Sequence, residues 1–148
     1  RQMCIRDRGD CVLLGQHQRG ISQGYWNGYG GKIVPPETSY QCLVRECSEE
    51  CGLDILSAKF CARLSIDLPE SVQLFIEAYI ITEFKGCLIE TTEMVPQWYK
   101  LDNLPFNNMW PDDKFWLPQA INGHTLNVAV SFDAFHKIVD IKVAELTE

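Results

Sequence analysis

Three glutamates, Glu46, Glu49 and Glu50, stand at i, i+3 and i+4 in a stretch of helix-forming composition. That spacing puts all three carboxylates on one face of a helix. Anions so close repel one another and destabilise the helix unless something positive neutralises them. Hard divalent cations do this, and Mg²⁺ characteristically takes one or two carboxylates together with substrate phosphates. Arg45, four residues before Glu49 and eight after Glu37, is placed to hold one of these carboxylates in orientation from behind. A solvated acidic helix face is the plainer reading of any glutamate cluster. Here the surrounding spacing decides against it.

The segment 31–53, GKIVPPETSYQCLVRECSEECGL, carries Gly31, Glu37, Arg45, Glu46, Glu49, Glu50 and Gly52 at every fixed position of the pattern G-x5-E-x7-R-E-U-x-E-E-x-G-U, where U is apolar. From average residue usage, a chance match in a chain of this length has a probability on the order of 10⁻⁸. On this motif the chain resembles the Nudix hydrolases. The similarity continues outside the motif, in Trp26-Asn27-Gly28-Tyr29-Gly30-Gly31-Lys32, in Glu93-Met94 through Trp98 to Leu101, and in Pro105-Phe106 and Met109-Trp110-Pro111-Asp112-Asp113. These segments, from about Cys11 to Pro118, resemble the 8-oxo-dGTP diphosphatase branch of the family. The C-terminal strands agree with it only in pattern.

The resemblance implies an α/β fold, the Nudix α/β/α sandwich with a mixed β-sheet, in which the motif forms a loop, a helix and a second loop. It implies hydrolysis of an oxidised purine nucleoside triphosphate such as 8-oxo-dGTP to a nucleoside monophosphate and pyrophosphate, with Mg²⁺ or Mn²⁺. Glu46, Glu49, Glu50 and Arg45 are then the catalytic set. Gly31, Glu46, Glu49, Glu50 and Glu93 form the metal site, with Glu50 the foremost ligand and Glu93 a fourth carboxylate from a distant loop. Gly30 and Gly31 let backbone approach where a side chain would clash. Asn27, Gly30, Lys32, Trp110, Asp112 and Asp113 are the implied substrate contacts, an indole face suiting a purine and two carboxyls suiting the N–H donors of its edge. From local sequence alone, Trp110 to Asp113 reads as a buried tryptophan followed by an aspartate capping a helix; the match over Glu93 to Pro118 favours recognition. Ile21 stands where the family has an aromatic residue, and His17, where it has a lysine, reads as a weaker phosphate or base contact or, more plainly, as solvent-exposed. The N-terminal strand, Arg1 to Arg6, reads as short or irregular. Another nucleoside-diphosphate-linked substrate (a sugar nucleotide, a cap or an ordinary nucleotide) is the alternative, followed by a nucleotide sensor without turnover, whose usual mark is a damaged motif.

These residues need elements to hold them. Cys11 to Leu14 is a short strand ahead of a polar, glycine-rich segment to Gly31. The motif helix runs Thr38 to Glu50, between Pro35-Pro36 and Gly52, with Leu43, Cys47 and Cys51 as its apolar face. Phe60, Ala62, Leu64, Ile66 and Leu68 alternate with polar neighbours as a half-buried strand. Val72 to Thr82 follows after a turn at Pro69-Glu70-Ser71. Gln97 to Leu101 is a further strand, and Asp112 to Ile121 a helix. Two final alternations involve Val128, Val130 and Phe132, then Val139, Ile141 and Val143.

With 148 residues, no repeat and no linker, residues 1–148 read as one domain. The net charge of −7 and the lack of a basic stripe exclude tracking along a nucleic acid polymer. An acidic protein still binds polyphosphate when divalent cations sit between. No apolar run reaches the roughly 20 residues of a membrane span, and no segment reads as a signal peptide. The chain opens Arg1-Gln2-Met3, so its natural start is processed or lies upstream. The seven cysteines are odd in number and have no C-x-x-C spacing, which disfavours both a disulfide scaffold and a zinc site. A reducing, cytoplasmic setting and a monomer acting on a small-molecule nucleotide are the expectation.

Overall fold

Thr38 starts the motif helix. In a computed structural model, which describes residues 2–6 as backbone and 11–146 in full, the Thr38 hydroxyl accepts the Gln41 N–H at 3.1 Å while the Gln41 side chain accepts the Thr38 N–H at 2.8 Å. This reciprocal pair satisfies two donors near the start of the helix. Helix α1 spans Ser39–Cys51 and stops at Gly52, whose φ of 75° is open to glycine and strained for other residues. A Cβ at Gly52 would in addition press on the Cys87 carbonyl oxygen at 2.9 Å.

The strands are β1 (Gln2–Arg6), β2 (Cys11–His17), β3 (Trp26–Asn27), β4 (Leu53–Leu68), β5 (Val72–Gly86), β6 (Met94–Lys100), β7 (Leu126–Phe132) and β8 (Ile138–Glu145), and helix α2 spans Asp113–Ile121. They form one sheet in the order β3-β2-β1-β5-β4-β7-β8, with β6 alongside β2. The pairs β1–β5 and β4–β7 are parallel and the others antiparallel, so the sheet is mixed as expected.

Alternation along the strands sends side chains to two apolar layers. Leu13 and Ile81 pack with Leu43, Cys47 and Cys51 of α1. Val12, Leu14, Leu64, Ala78 and Val128 pack on the opposite face with Trp116, Leu117 and Ala120 of α2. The sheet is therefore sandwiched between two helices. No helix among the described residues is long and apolar enough to cross a membrane.

Several sequence expectations are corrected. The N-terminal strand, read over residues 1–6 as short or irregular, is short, Gln2–Arg6, and paired on both edges; Arg1 lies outside the described residues. Both edges are occupied, which steadies a segment too short for its pattern to announce. β4 begins at Leu53, well before the clean alternation, and a register shift between Phe60 and Ala62 explains why that half was illegible. A bulge inserts one extra residue and reverses which face each side chain takes. Cys61 thus joins Ala62 in the α2 layer, while Phe60 packs its ring 5.7 Å from Tyr79 beside the α1 layer. β3 and a 3₁₀ turn at Phe106–Asn108 were not expected.

Candidate active site

Loop 30–37 and α1 are joined through Arg45. Its guanidinium grips Glu37 with two bonds, Nε to Oε2 at 3.1 Å and Nη2 to Oε1 at 2.7 Å. It also donates to Glu46 at 2.8 Å, to Glu49 at 3.4 Å and to the Lys32 carbonyl at 3.2 Å. Glu37 in turn accepts the Val34 N–H at 2.7 Å, so the loop folds back onto the helix. The Arg45 bonds hold the Glu37 carboxyl down at about 2, and the paired carboxylates push the Arg45 pKa up. Lys32 contributes its carbonyl; its side chain is exposed.

Glu50 lies on the same helix but in a different environment. It is buried, and its Oε1 accepts the Gly30 N–H at 3.0 Å. Burial, then the Glu46 charge, push its carboxyl up to about 8, against the lowering effect of the Gly30 bond; the Glu93 charge adds to the rise. An acid this hard to ionise gains most from a cation beside it, and binding one displaces the proton. Gly31 packs directly on the Glu46 carboxylate, in space a Cβ would fill. The donors here are carboxylate and backbone oxygens, which fit a hard divalent ion. Among the described residues, no three His, Cys, Asp or Glu side chains converge as a ready-made metal site. Arg45 instead draws Glu46 and Glu49 to itself, and Glu93 is bound by Arg19 at 2.6 Å. Cys42, Cys47 and Cys51 are free, buried thiols.

A cleft opens beside these groups, lined by Gly30 and Gly31 at one end and by Asn27, Trp110, Asp112 and Ile21 elsewhere. Its floor is Ile66, Leu68, Leu74 and Ile76 of the β4–β5 hairpin, with Phe132 from β7. The cavity of about 160 Å³ is comparable to the roughly 150 Å³ known to take one benzene ring. It therefore suits a flat aromatic group, with anything attached extending toward the glycines.

The aromatic end is tightly built. The Trp110 indole N–H donates to Ser22 Oγ at 2.8 Å, and Tyr25 meets the indole edge-on at 5.4 Å. Asp112 makes no side-chain cap on α2. Its Oδ2 accepts the Trp116 indole N–H at 2.9 Å, which removes the capping explanation for this residue. Asp113 lies behind Asp112, 2% exposed, with Oδ2 unpartnered, and it does not line the cleft. Burial raises both carboxyls; for Asp113 the Asp112 charge adds to it, while the Trp116 bond restrains Asp112. Asn27 is buried, with its Oδ1 accepting the Gly28 N–H at 2.9 Å.

The motif and its flanks thus come together, with Glu93 near enough for its charge to act on Glu50. His17 is half-buried and lines the cleft, against the solvent-exposed reading, and among the described residues its Nε2 has no hydrogen-bond partner. Burial lowers its pKa, so it enters the site as a neutral ring. The aliphatic floor was missed as a site wall; its alternation revealed burial but not which buried side faces a ligand.

The NUDIX domain family matches residues 2–120. The chain is 38% identical to an oxidized purine nucleoside triphosphate hydrolase of Mus musculus over 72% of this chain and 69% of the relative. It is 32% identical to the protein of the same name from Danio rerio, over 93% of this chain and 88% of that one. Among solved structures, the MutT protein of Bacillus halodurans superposes with a TM-score of 0.83 at 21% identity, covering 96% of this chain and 94% of that one, a likeness of fold.

Replacing Arg45 by Met leaves Glu37, Glu46 and Glu49 without their shared counter-charge, and the melting temperature at pH 7 is expected to fall. Glu37 has a folded pKa of about 2 against an ordinary 4.5. Its stabilising contribution is therefore complete above 4.5 and lost as pH falls toward 2. The gap between wild type and Arg45→Met should narrow over that window. Thermal melts across the acid range test this, and a gap independent of pH would contradict it.

Proposed function

The chain belongs to the Nudix family, and from that premise we propose that it hydrolyses purine nucleoside triphosphates, oxidised ones such as 8-oxo-dGTP foremost. The products are a nucleoside monophosphate and pyrophosphate. The observation that carries this reading is the continuity of one cleft, from the Trp110 and Asp112 wall to the Gly30–Gly31 backbone that bonds Glu50. A base fits the first end and a polyphosphate the second. The names of the Mus musculus and Danio rerio relatives support the same substrate class.

Gly31 carries no side chain, which lets the Glu46 carboxylate lie directly against the backbone at the phosphate end of the cleft. Mg²⁺, or Mn²⁺ in its place, would be held by Glu46, Glu49, Glu50, the Gly31 carbonyl and Glu93, and would supply charge neutralisation and polarisation of a phosphate. Arg45 keeps the glutamates aimed while remaining outside the reaction. A water oriented by these carboxylates forms the new P–O bond as the phosphoanhydride breaks, and its proton passes to a carboxylate. The undamaged motif favours turnover over sensing. The chain is read further as one domain, a monomer, working in the cytoplasm without nucleic acid polymer or membrane.

Release of pyrophosphate from a panel of nucleotides, with Mg²⁺ and then with EDTA, tests this. Oxidised purine triphosphates should head the panel, and chelation should abolish the reaction. Glu50→Gln should lower kcat by roughly 10² to 10⁴ with the fold intact. Full activity after exhaustive chelation, or more than about a tenth of wild-type rate in Glu50→Gln, would contradict the metal role.

The neighbouring buried carboxyls of Asp112 and Asp113 support a more specific expectation. Two such neighbours rarely both ionise, so Asp113, behind the cleft wall, biases the protonation of Asp112, the member of the pair that lines the cleft and meets the base. Asp113→Asn and Asp112→Asn should each lower kcat/KM for purine triphosphates by about tenfold or more. Stability should change little, and the ratio of 8-oxo-dGTP to 2-hydroxy-dATP turnover should shift. Unchanged efficiency and ratio in both variants would make the pair structural.

A further inference from the structure

His136 sits in the hairpin between β7 and β8 with φ at 60°, a left-handed conformation that costs a residue with a side chain. Asp133 imposes it. Its Oδ1 accepts the Phe135 N–H at 2.8 Å and the Lys137 N–H at 3.0 Å. Its backbone N–H bonds the Lys137 carbonyl at 2.9 Å, and its carbonyl accepts the His136 N–H at 3.1 Å. A glycine would satisfy this turn without strain, yet a histidine occupies it. What the ring gains is a contact with Trp110, centroid to centroid 4.8 Å at an angle of 42°. Phe132 of the same hairpin meets Trp110 edge-on at 5.6 Å and lines the cleft.

Trp110 is thereby held from several directions: Ser22 fixes the indole nitrogen, Tyr25 and Phe132 bound the ring, and His136 packs against it. His136 itself does not line the cleft. We propose that His136 is a positioning residue for nucleotide recognition, its ring packed on Trp110 to hold the indole as a platform for the base, so that the β7–β8 hairpin forms part of the substrate site. The proposal rests on the purine nucleotide reading of the cleft. An indole left free to turn loses affinity for a stacked base, because each binding event must then order it. The phosphate end of the cleft, built on loop 30–37 and α1, is separate and keeps its rate of bond cleavage.

The test is His136→Gly, which removes the ring and also relieves the backbone, with His136→Phe, which restores a ring. Two quantities are measured: kcat and KM for 8-oxo-dGTP, and the dissociation constant of 8-oxo-dGMP by fluorescence titration, which needs no turnover. His136→Gly should melt at or above the wild-type temperature, with KM and the dissociation constant raised about threefold to tenfold, the scale of a lost aromatic contact. Its kcat should stay within about twofold, and His136→Phe should recover most of the affinity. Wild-type affinity in His136→Gly, or an equal loss in both variants, overturns the proposal. A wild-type protein that binds 8-oxo-dGMP but turns over nothing contradicts the proposed reaction and leaves the affinity comparison decisive for His136. A wild-type protein that neither binds 8-oxo-dGMP nor turns over 8-oxo-dGTP overturns both.

Discussion

Arg45 is surrounded by Glu37, Glu46 and Glu49, and its guanidinium supplies the counter-charge that holds this acidic segment together. The i, i+3, i+4 carboxylates repel along the helix, and loop 30–37 has no regular structure of its own. One planar guanidinium answers both problems, gripping Glu37 of the loop and the glutamates of the helix together. A lysine offers a single point charge and cannot make that fork. Glu50, buried on the far side of this network, is left to the Gly30 N–H and to whatever cation the cleft admits.

The sheet gives this arrangement its two ends. α1 packs on one face through Leu43, Cys47 and Cys51, which fixes the carboxylates relative to β2 and β5. The other face, beyond α2, is floored by the β4–β5 hairpin and carries the aromatic cleft. Segment 26–31 passes between them, Asn27 on the base side and Gly30 against Glu50. A side chain at Gly31 has no room, because the Glu46 carboxylate already fills the space its Cβ would take.

The sequence was most legible where chemistry and local structure coincide. The carboxylates of α1 and the reach of Arg45 follow from helical spacing, and the ends of the helix agree with expectation to within one residue. Legibility failed where long-range geometry decides. The bulge at Cys61 reversed the faces of β4, and the pairing of β1 depends on neighbours distant in sequence. The local pattern at Trp110 to Asp113 suggested a capped helix, whereas the Asp112 side chain is committed to Trp116 instead. Ser22, Phe132 and His136 reach Trp110 across separations that no periodicity encodes.

The proposed hydrolysis depends on a divalent cation held at Glu50. Crystals soaked in Mn²⁺ and measured by anomalous scattering locate such an ion directly. The predicted result is a peak at the Glu50 carboxylate, with Arg45 still bound to Glu37. A peak confined to the Cys47–Cys51 thiols or to the outer acidic surface, with none at Glu50, would contradict it.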